Sequence, residues 1–449
     1  MKKAAAFLLA VLMLTSSLAG CGNQEQTEST AEAEQPSSSG ETVVLRMATG
    51  VPETVSTIDS FALAYTEEHP NITLEVTVLP GGVAGFNSAM ASKLAANDAP
   101  DIFQYQWGSQ ITAYAKGGHL MDLTDSGIRE TLREIKKPMN VYQGKDYAYP
   151  VYQSLWGLMY NSRLGEEVGV TEIPKTLDQF TELMDKMREN GIEYPFIVPG
   201  KDGSGATGFV FCYLHQIVSG QNPDFYYQCV TGEKSWDGEE WRNLFEVYDR
   251  LLNYTSPDVL GLDVDNALTR FAREEGAFMV SGPSTIKQLE EMNPELEGNL
   301  LYIPFPLYEN EEDYATISDY DAALSIWSQT EHPEEALEMY KQFFTPENNV
   351  ALAQTMNMVS SVAGTPDDYL DPSVVNQMPL LDAGKYVGFS EREWIPGIKE
   401  IMKTLVQEWI AGTDLDTTLA NLEKEHQRLL DADPEFIEEF ETLRENTIE

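Results

Sequence analysis

The sequence predicts an α/β protein built as two lobes. Three observations predict it. Strand-like and helix-like stretches alternate along the chain, the pattern of strands covered by crossover helices on a largely parallel sheet. The alternation begins afresh beyond Pro174. Without its leader and tether the chain keeps about 410 residues, more than one hydrophobic core usually serves.

The chain opens on Met1-Lys2-Lys3, an apolar stretch from Ala4 to Leu14, and Leu18-Ala19-Gly20-Cys21. A positive start, an apolar run too short to span a bilayer and small residues at its end read as an export signal over 1–20. The tetrad ending at Cys21 looks like a lipobox, in which the thiol is acylated, palmitate included, and becomes the mature N-terminus. The plainer alternative is an ordinary cleavage site beside an incidental thiol. Residues 21–41 are mostly Ser, Thr, Glu, Gln and Ala, with too little to bury, and read as a disordered tether. No later apolar stretch is long enough to cross a membrane.

Thr42 to Thr49 and Ile72 to Leu79 alternate apolar and polar residues as strands do, with an amphipathic helix from Asp59 to Glu68 between them. Helical pattern from Lys93 to Asn97 leads into a short buried strand, Ala99 to Phe103. Gln110 to Lys116 is a helix stopped by Gly117-Gly118, and the Tyr-rich run from Gly144 to Tyr152 is a turn and a strand. Pro174 to Phe180 opens a helix running to about Asn190, with Gly191 as its stop signal. Tyr194 to Val198 follows as a strand and Pro199 to Gly208 as a Gly-rich loop. Trp241 to Leu252 and Asn266 to Arg273 are helical, Gly276 to Val280 is a strand, and Ser281 to Ser284 a turn into another helix. Leu301 to Phe305 crosses between lobes, Ala322 to Trp327 is a strand and Glu334 to Phe344 a helix. Beyond Trp394 the pattern is almost wholly helical, including Ile398 to Ile410 and Leu415 to Leu430.

Composition excludes several classes of partner. Lys plus Arg number 29 against 73 Asp plus Glu, a formal charge of -44, so nucleic acid is excluded for want of a basic surface. Neutral or cationic ligands suit this field better than polyanions. Cys212 and Cys229 have no CxxC or His partner at metal-ligand spacing; they form one disulfide or stay buried as separate thiols. Asp263 and Asp265 lack the Gly and Glu of a calcium loop, and the Gly200 to Gly208 run lacks a phosphate-binding Lys in the right place. No metal and no cofactor is expected.

Several segments, in order, resemble one family. Ala99-Pro100-Asp101-Ile102-Phe103 is similar to its small-Pro-Asp-apolar strand, and Gly117 to Leu123 to the turn that follows. Gly144 to Pro150 with Leu158-Met159-Tyr160-Asn161 looks like its first crossing between lobes, and Pro174 to Phe180 like its helix start. Gly276 to Pro283, His332 to Ala336, and Ala411-Gly412 with Leu415 to Leu419 complete the series. The family is that of family 1 extracellular solute-binding proteins of ATP-binding-cassette importers, the maltose-binding-protein-like group. The resemblance implies a two-lobed, type II periplasmic-binding-protein-like fold, with 42–151 and 305–350 in lobe 1, and 152–304 and 351–449 in lobe 2. It also implies a cleft that closes by a hinge motion on a sugar or oligosaccharide, and delivery to membrane permease subunits. The chain is then an outward-facing, lipid-anchored monomer.

A pyranose has an apolar face and a polar rim, so its site needs flat rings and oriented polar groups. By position in the resemblance or along the strands, the candidate ligand contacts are Glu53, Tyr105, Trp107, Tyr152, Ser154, Trp156, Ser284, Asp319, Asp321 and Trp394. Tyr105 and Trp107 follow a strand's C-terminal end, where such sheets present their loops to ligand. Ser284 stands where many relatives carry a stacking aromatic. Asp319 and Asp321 flank Tyr320 just before a strand. For each ring the competing reading is core packing, and for Asp319 a solvated loop.

The histidines His69, His119, His215, His332 and His426 form no HExxH and no recognisable triad, so no enzyme is expected. Acidic pairs carry no information in so acidic a chain. The alternatives are the same scaffold holding a polyamine, peptide or compatible solute, and, in another class, a surface glycan-active enzyme or adhesin.

Overall fold

The structure, a computed structural model, describes residues 42–80, 82–133, 141–201 and 203–445. The export signal, Cys21 and the tether lie outside the described residues. Those described belong to one compact unit, within which two sheets organise separate cores.

The first part of the chain follows the predicted alternation. It runs β1 (Val43–Thr49), α1 (Val55–Glu68), β2 (Ile72–Val78), α2 (Gly82–Ala95), β3 (Ile102–Tyr105) and α3 (Ser109–Lys116). A small hairpin, β4 (Val141–Tyr142) and β5 (Lys145–Asp146), precedes β6 (Tyr149–Trp156) and β7 (Leu158–Asn161). The middle is mostly helical: α4 (Ser162–Glu167), α5 (Leu177–Glu189), β8 (Phe196–Ile197), α6 (Ser204–Tyr213), α7 (Phe225–Val230), α8 (Glu239–Leu252) and α9 (Val264–Ala272). Then come β9 (Phe278–Met279), α10 (Ile286–Met292), β10 (Leu300–Ile303) and the long β11 (Thr316–Ile326). The rest is α11 (Pro333–Gln342), α12 (Pro346–Met356), β12 (Val359–Ser360), α13 (Pro372–Val375), α14 (Met378–Asp382), β13 (Tyr386–Val387), α15 (Ile398–Ile410), α16 (Leu415–Ala432) and α17 (Phe436–Glu445).

Neither sheet is largely parallel, which corrects the expectation. The larger has the order β12-β6-β11-β3-β1-β2, with β13 also on β11. Only β1 with β2, β1 with β3 and β11 with β13 run parallel; β11 is antiparallel to both β3 and β6. The smaller sheet, β10-β7-β9-β8, is also mixed. The reason is topological. Strands β6 and β11 belong to segments that leave or return from the other sheet, so they enter against the direction set by βαβ crossovers.

Side chains from β1, α1, α11 and α12 fill one core against the larger sheet, among them Leu45, Ile58, Met339, Tyr340 and Leu352. A second core joins α5, α6, α8, α15 and α16 around Phe180, Phe209, Trp241, Tyr248 and Leu419. Leu352, Ala353 and Met356 of α12 pack with the first of these cores, and β12 pairs with β6 in the larger sheet.

Two local devices position these layers. At the start of α5, Thr176 and Gln179 form a reciprocal capping box that closes the helix end. Thr176→Ala is expected to lower unfolding free energy by about 1 kcal/mol in urea denaturation. Between β6 and β7, a Cβ on Gly157 would collide with the Ile303 carbonyl oxygen, so only glycine lets the chain pass β10 this closely.

The Gly-rich run from Pro199 to Gly208 is not a rim loop throughout. From Ser204 it is the first turn of α6, and its glycines allow contact, since a Cβ at Gly205 would strike the Pro199 carbonyl oxygen. Asp263 caps α9 through the Asn266 amide at 3.0 Å and pairs with Lys201. Cys212 and Cys229 are separate buried thiols. No described helix is long and apolar enough to cross a membrane.

Candidate functional site

Strands β6 and β11 bring five of the predicted residues onto one surface. Their antiparallel register sets Trp156 opposite Ile317, Ser154 opposite Asp319 and Tyr152 opposite Asp321. Directly opposed residues share a face, so an aromatic, a hydroxyl, a second aromatic and two carboxylates line a single stripe. Asp319 and Asp321 therefore lie inside a strand, not in the loop before one as the sequence suggested. The expected strand start at Ala322 is instead a left-handed residue, φ +53°, within β11. Such a conformation costs a non-glycine residue energy, and it falls directly beside these candidates.

Both carboxylates are occupied by the protein. Asp319 accepts the Tyr320 amide at 2.9 Å through Oδ1 and the Phe389 amide at 2.9 Å through Oδ2. Asp321 accepts the Ala322 amide at 2.8 Å and pairs with Arg392 at 3.1 Å. The Arg392 guanidinium also donates to the Tyr320 carbonyl and lies over the Phe389 ring at 4.2 Å. Its side chain is only 7% exposed, so its charge and that of Asp321 compensate in a poorly solvated place.

Tyr152 is buried on the same stripe. Burial pushes its hydroxyl well above the usual phenol range, the charges of Asp321 and Glu53 add to the shift, and Arg392 opposes it. That influence places Glu53, exposed in the turn after β1, in the same neighbourhood. Trp156 meets Phe389 edge to face at 5.7 Å. Trp107 lies 5.6 Å from the Tyr320 ring, on a loop brought against Arg392 by Gly108. Gly108 has φ +142°, and a Cβ there would sit 2.9 Å from the Arg392 carbonyl oxygen, so the loop requires glycine.

Two predicted aromatics pack away from this stripe. Tyr105 is in β3, an interior strand covered on both sides; its hydroxyl meets Ser325 at 3.0 Å and its ring packs against Phe103 and Tyr114. Trp394 stacks on Tyr226 at 5.5 Å and meets Trp236 and Phe211 edge to face, so α6, α7 and the loop between α7 and α8 pack around it. Ser284 is half-buried in a turn that packs against α12, apart from the β6 and β11 stripe in sequence and in strand pairing. Arg392, Phe389 and Tyr320 were missed. A single Arg between Glu391 and Glu393 gives no signal in a sequence this rich in charge.

Among the described residues no cluster of three or more His, Cys, Asp or Glu is arranged to hold a metal ion. The arrangement offers flat rings and oriented polar groups on a mixed sheet. This is the type II solute-binding fold. The chain belongs to the bacterial extracellular solute-binding protein family, whose profile it matches over residues 49–350.

Among curated proteins it is similar to the melibiose/raffinose/stachyose-binding protein MelE of Bacillus subtilis, 22% identical over 94% of this chain and 96% of that one. The diacetylchitobiose binding protein DasA of Streptomyces coelicolor is 30% identical over 28% of this chain and 30% of its own. Among solved structures, a chitin oligosaccharide binding protein superposes with a TM-score of 0.73 at 20% identity, covering 87% of this chain and 99% of that one. A sugar transporter of Bacillus licheniformis in complex with stachyose gives 0.70 at 23% identity, covering 86% and 100%. The family and these neighbours are binding proteins, and an extracellular family places the chain on the outward side of the membrane, or in the periplasm.

Proposed function

We propose that this chain captures a neutral sugar or oligosaccharide between two lobes and hands it to the permease subunits of an ATP-binding-cassette importer. On this reading one lobe is built on the larger sheet, with α12 and β12 added to 42–151 and 305–350, and the other on the smaller sheet with the C-terminal helices. Lipid on Cys21 tethers a monomer outside the membrane. It needs no cofactor and performs no catalysis.

The observation that carries the ligand class is the state of the two carboxylates on the stripe. Asp319 is saturated by backbone amides and Asp321 is neutralised by Arg392, so neither is left to hold an ammonium group. What is accessible beside them is the half-buried Trp156 ring and the exposed Glu53 carboxylate, with the Trp107 ring and the Tyr152 hydroxyl buried behind, and rings with a few oriented polar groups suit a polyol with an apolar face. This favours a sugar over the polyamine reading that the acidic composition left open. The names of the relatives point to the same ligand class.

Isothermal titration against melibiose, raffinose, stachyose, diacetylchitobiose and spermidine tests the proposal. Heat is expected from at least one saccharide and none from spermidine. Binding of spermidine with silence from every saccharide sinks it, and silence from all of them with no thermal shift favours an adhesin.

A further inference from the structure

The run from Phe389 to Arg392 ties the helical core to the stripe on β6 and β11. The Phe389 amide donates to Asp319 Oδ2 at 2.9 Å, and the Arg392 guanidinium pairs with Asp321 at 3.1 Å. The Phe389 ring meets Trp156 edge to face at 5.7 Å, so the segment touches candidate ligand residues on both strands. Ser390 and Glu391, between these two, turn the other way, towards Leu214–Ser219, a π-helical turn that continues α6. Wide turns of this kind recur at functional places.

His215 on that turn receives them. The Ser390 amide donates to its Nδ1 at 3.2 Å, and the Ser390 hydroxyl lies 3.0 Å from the same atom. A backbone N–H can only donate, so Nδ1 carries the lone pair and the ring is the neutral tautomer with its proton on Nε2. Nε2 stands 3.0 Å from Glu391 Oε2, at ion-pair distance but off the line of a directed hydrogen bond. The directed contacts between the ring and the segment therefore run through Nδ1, the atom that a second proton would take.

The ring is wholly buried, with charges of both signs around it. Glu391 and Arg392 come from the segment itself, Asp319 and Asp321 from β11, and Lys399 from α15, where it reaches Glu391 Oε1 at 3.2 Å. Burial alone would raise the Glu391 carboxyl, but the Lys399 ammonium and the other positive neighbours hold it well below the usual carboxylate range. Burial pushes the Cys212 thiol of α6 and the Tyr226 hydroxyl of α7 up, so both are neutral, and Tyr226 accepts the Ile395 amide at 2.7 Å. A second proton on the imidazole would set N–H against N–H. The Ser390 amide would lose its acceptor inside the protein, and the segment would shift to find another. Ser390, His215 and Glu391 share the composition of a hydrolase triad, yet the amide occupies the lone pair that a general base needs.

We propose that His215 is a positioning residue for the stripe: its unprotonated Nδ1 holds Phe389 and Arg392 against β11, and saccharide affinity falls when that nitrogen takes up a proton. The proposal rests on the solute-binding reading, because ligand affinity is its main readout. When only the neutral ring permits binding, affinity drops about tenfold for each pH unit below the ring's pKa in the ligand-free protein.

Calorimetric titration of the full chain with raffinose, stachyose and diacetylchitobiose, at about pH 7.5 and about pH 5.5, brackets the ordinary imidazole value of about 6.5. The parent is compared with His215→Asn and His215→Gln, each shown to be folded by its melting temperature at both pH values. An Asn carbonyl stands near the place of Nδ1 and accepts the amide but takes no proton in this range, whereas Gln reaches the place of Nε2 and leaves Ser390 without an acceptor. The parent is expected to lose about tenfold in affinity at the lower pH. His215→Asn is expected to bind within about threefold of the parent at the higher pH and equally at both, and His215→Gln to be about tenfold weaker at both. Equal parent affinity at the two pH values overturns the proposal. So does an Asn variant that keeps the parent's pH dependence, or a Gln variant that matches the parent at the higher pH. Hydrogen exchange of the Phe389 and Ser390 amides in the ligand-free parent needs neither variant nor saccharide. Their protection is expected at the higher pH and lost at the lower, while the amides of β1 keep theirs. That result with no saccharide bound at either pH leaves the His215 contact standing and removes the sugar reading, and unchanged protection overturns the contact's role whatever binds.

Discussion

Arg392→Ala is expected to destabilise the protein by ~3 kcal/mol and to abolish saccharide binding. Arg392 is the one cation paired with Asp321 on the β6 and β11 stripe among the described residues, and both side chains are mostly buried, at 7% and 20% exposure. Removing the guanidinium strands a carboxylate in a place where water solvates it poorly, frees the Tyr320 carbonyl, and takes away the surface that Phe389 and the Gly108 loop pack against. The double variant Arg392→Ala with Asp321→Ala removes both charges and is expected to regain part of the lost stability but none of the binding. Urea unfolding of the two variants and the parent, with calorimetric titration of each, checks this. A single variant as stable as the parent, or a double variant no better than the single, counts against the pairing argument.

The second large effect is on acid stability. His426 is buried between Tyr226, whose hydroxyl is 3.4 Å from Nε2, and the Trp236 ring at 4.9 Å. Burial lowers its pKa from 6.5 to about 4. The folded state therefore resists a proton that the unfolded chain takes up readily. Stability is fully present above about pH 6.5 and is lost as the pH falls from there towards about 4, by ~3 kcal/mol in all. Glu391, whose carboxyl is held below the ordinary range, adds its own loss only below the unfolded carboxylate pKa, so the two windows are separable. Urea unfolding of the parent and of His426→Phe at about pH 7.5 and about pH 4.5 gives the test. The parent is expected to lose most of that amount more than the variant, and equal losses would falsify the assignment to His426.

The legible parts of the fold are those written locally. The β1, α1, β2 unit, α3 with its Gly117 stop, α5 with its cap, and the C-terminal helices all appear near their predicted bounds, because period and capping act over a few residues. Ser204 to Gly208 misled because glycines that permit close packing look the same in sequence as glycines that permit a loop. The Asp319 to Asp321 run misled for a related reason. Polar residues in a row suggest a turn, whereas here backbone amides and Arg392 satisfy the carboxylates inside a strand.

The candidate site divides in the same way. Trp107, Tyr152, Ser154, Trp156, Asp319 and Asp321 could be nominated from position along strands and from the family resemblance, but Tyr105 and Trp394 carried equal weight, and burial does not separate them: Trp107 and Tyr152 are as deeply buried and differ in lying beside Tyr320 and Asp321.

By itself the sequence determined the class: an acidic, exported-looking α/β chain, with motifs in an order that one family shares, because composition, period and motif order are properties of the chain read along its length. Tertiary structure alone decided the rest. It set which carboxylates the protein itself occupies and placed Arg392 against Asp321, because charge compensation depends on residues tens of positions apart in the chain meeting at a few ångströms.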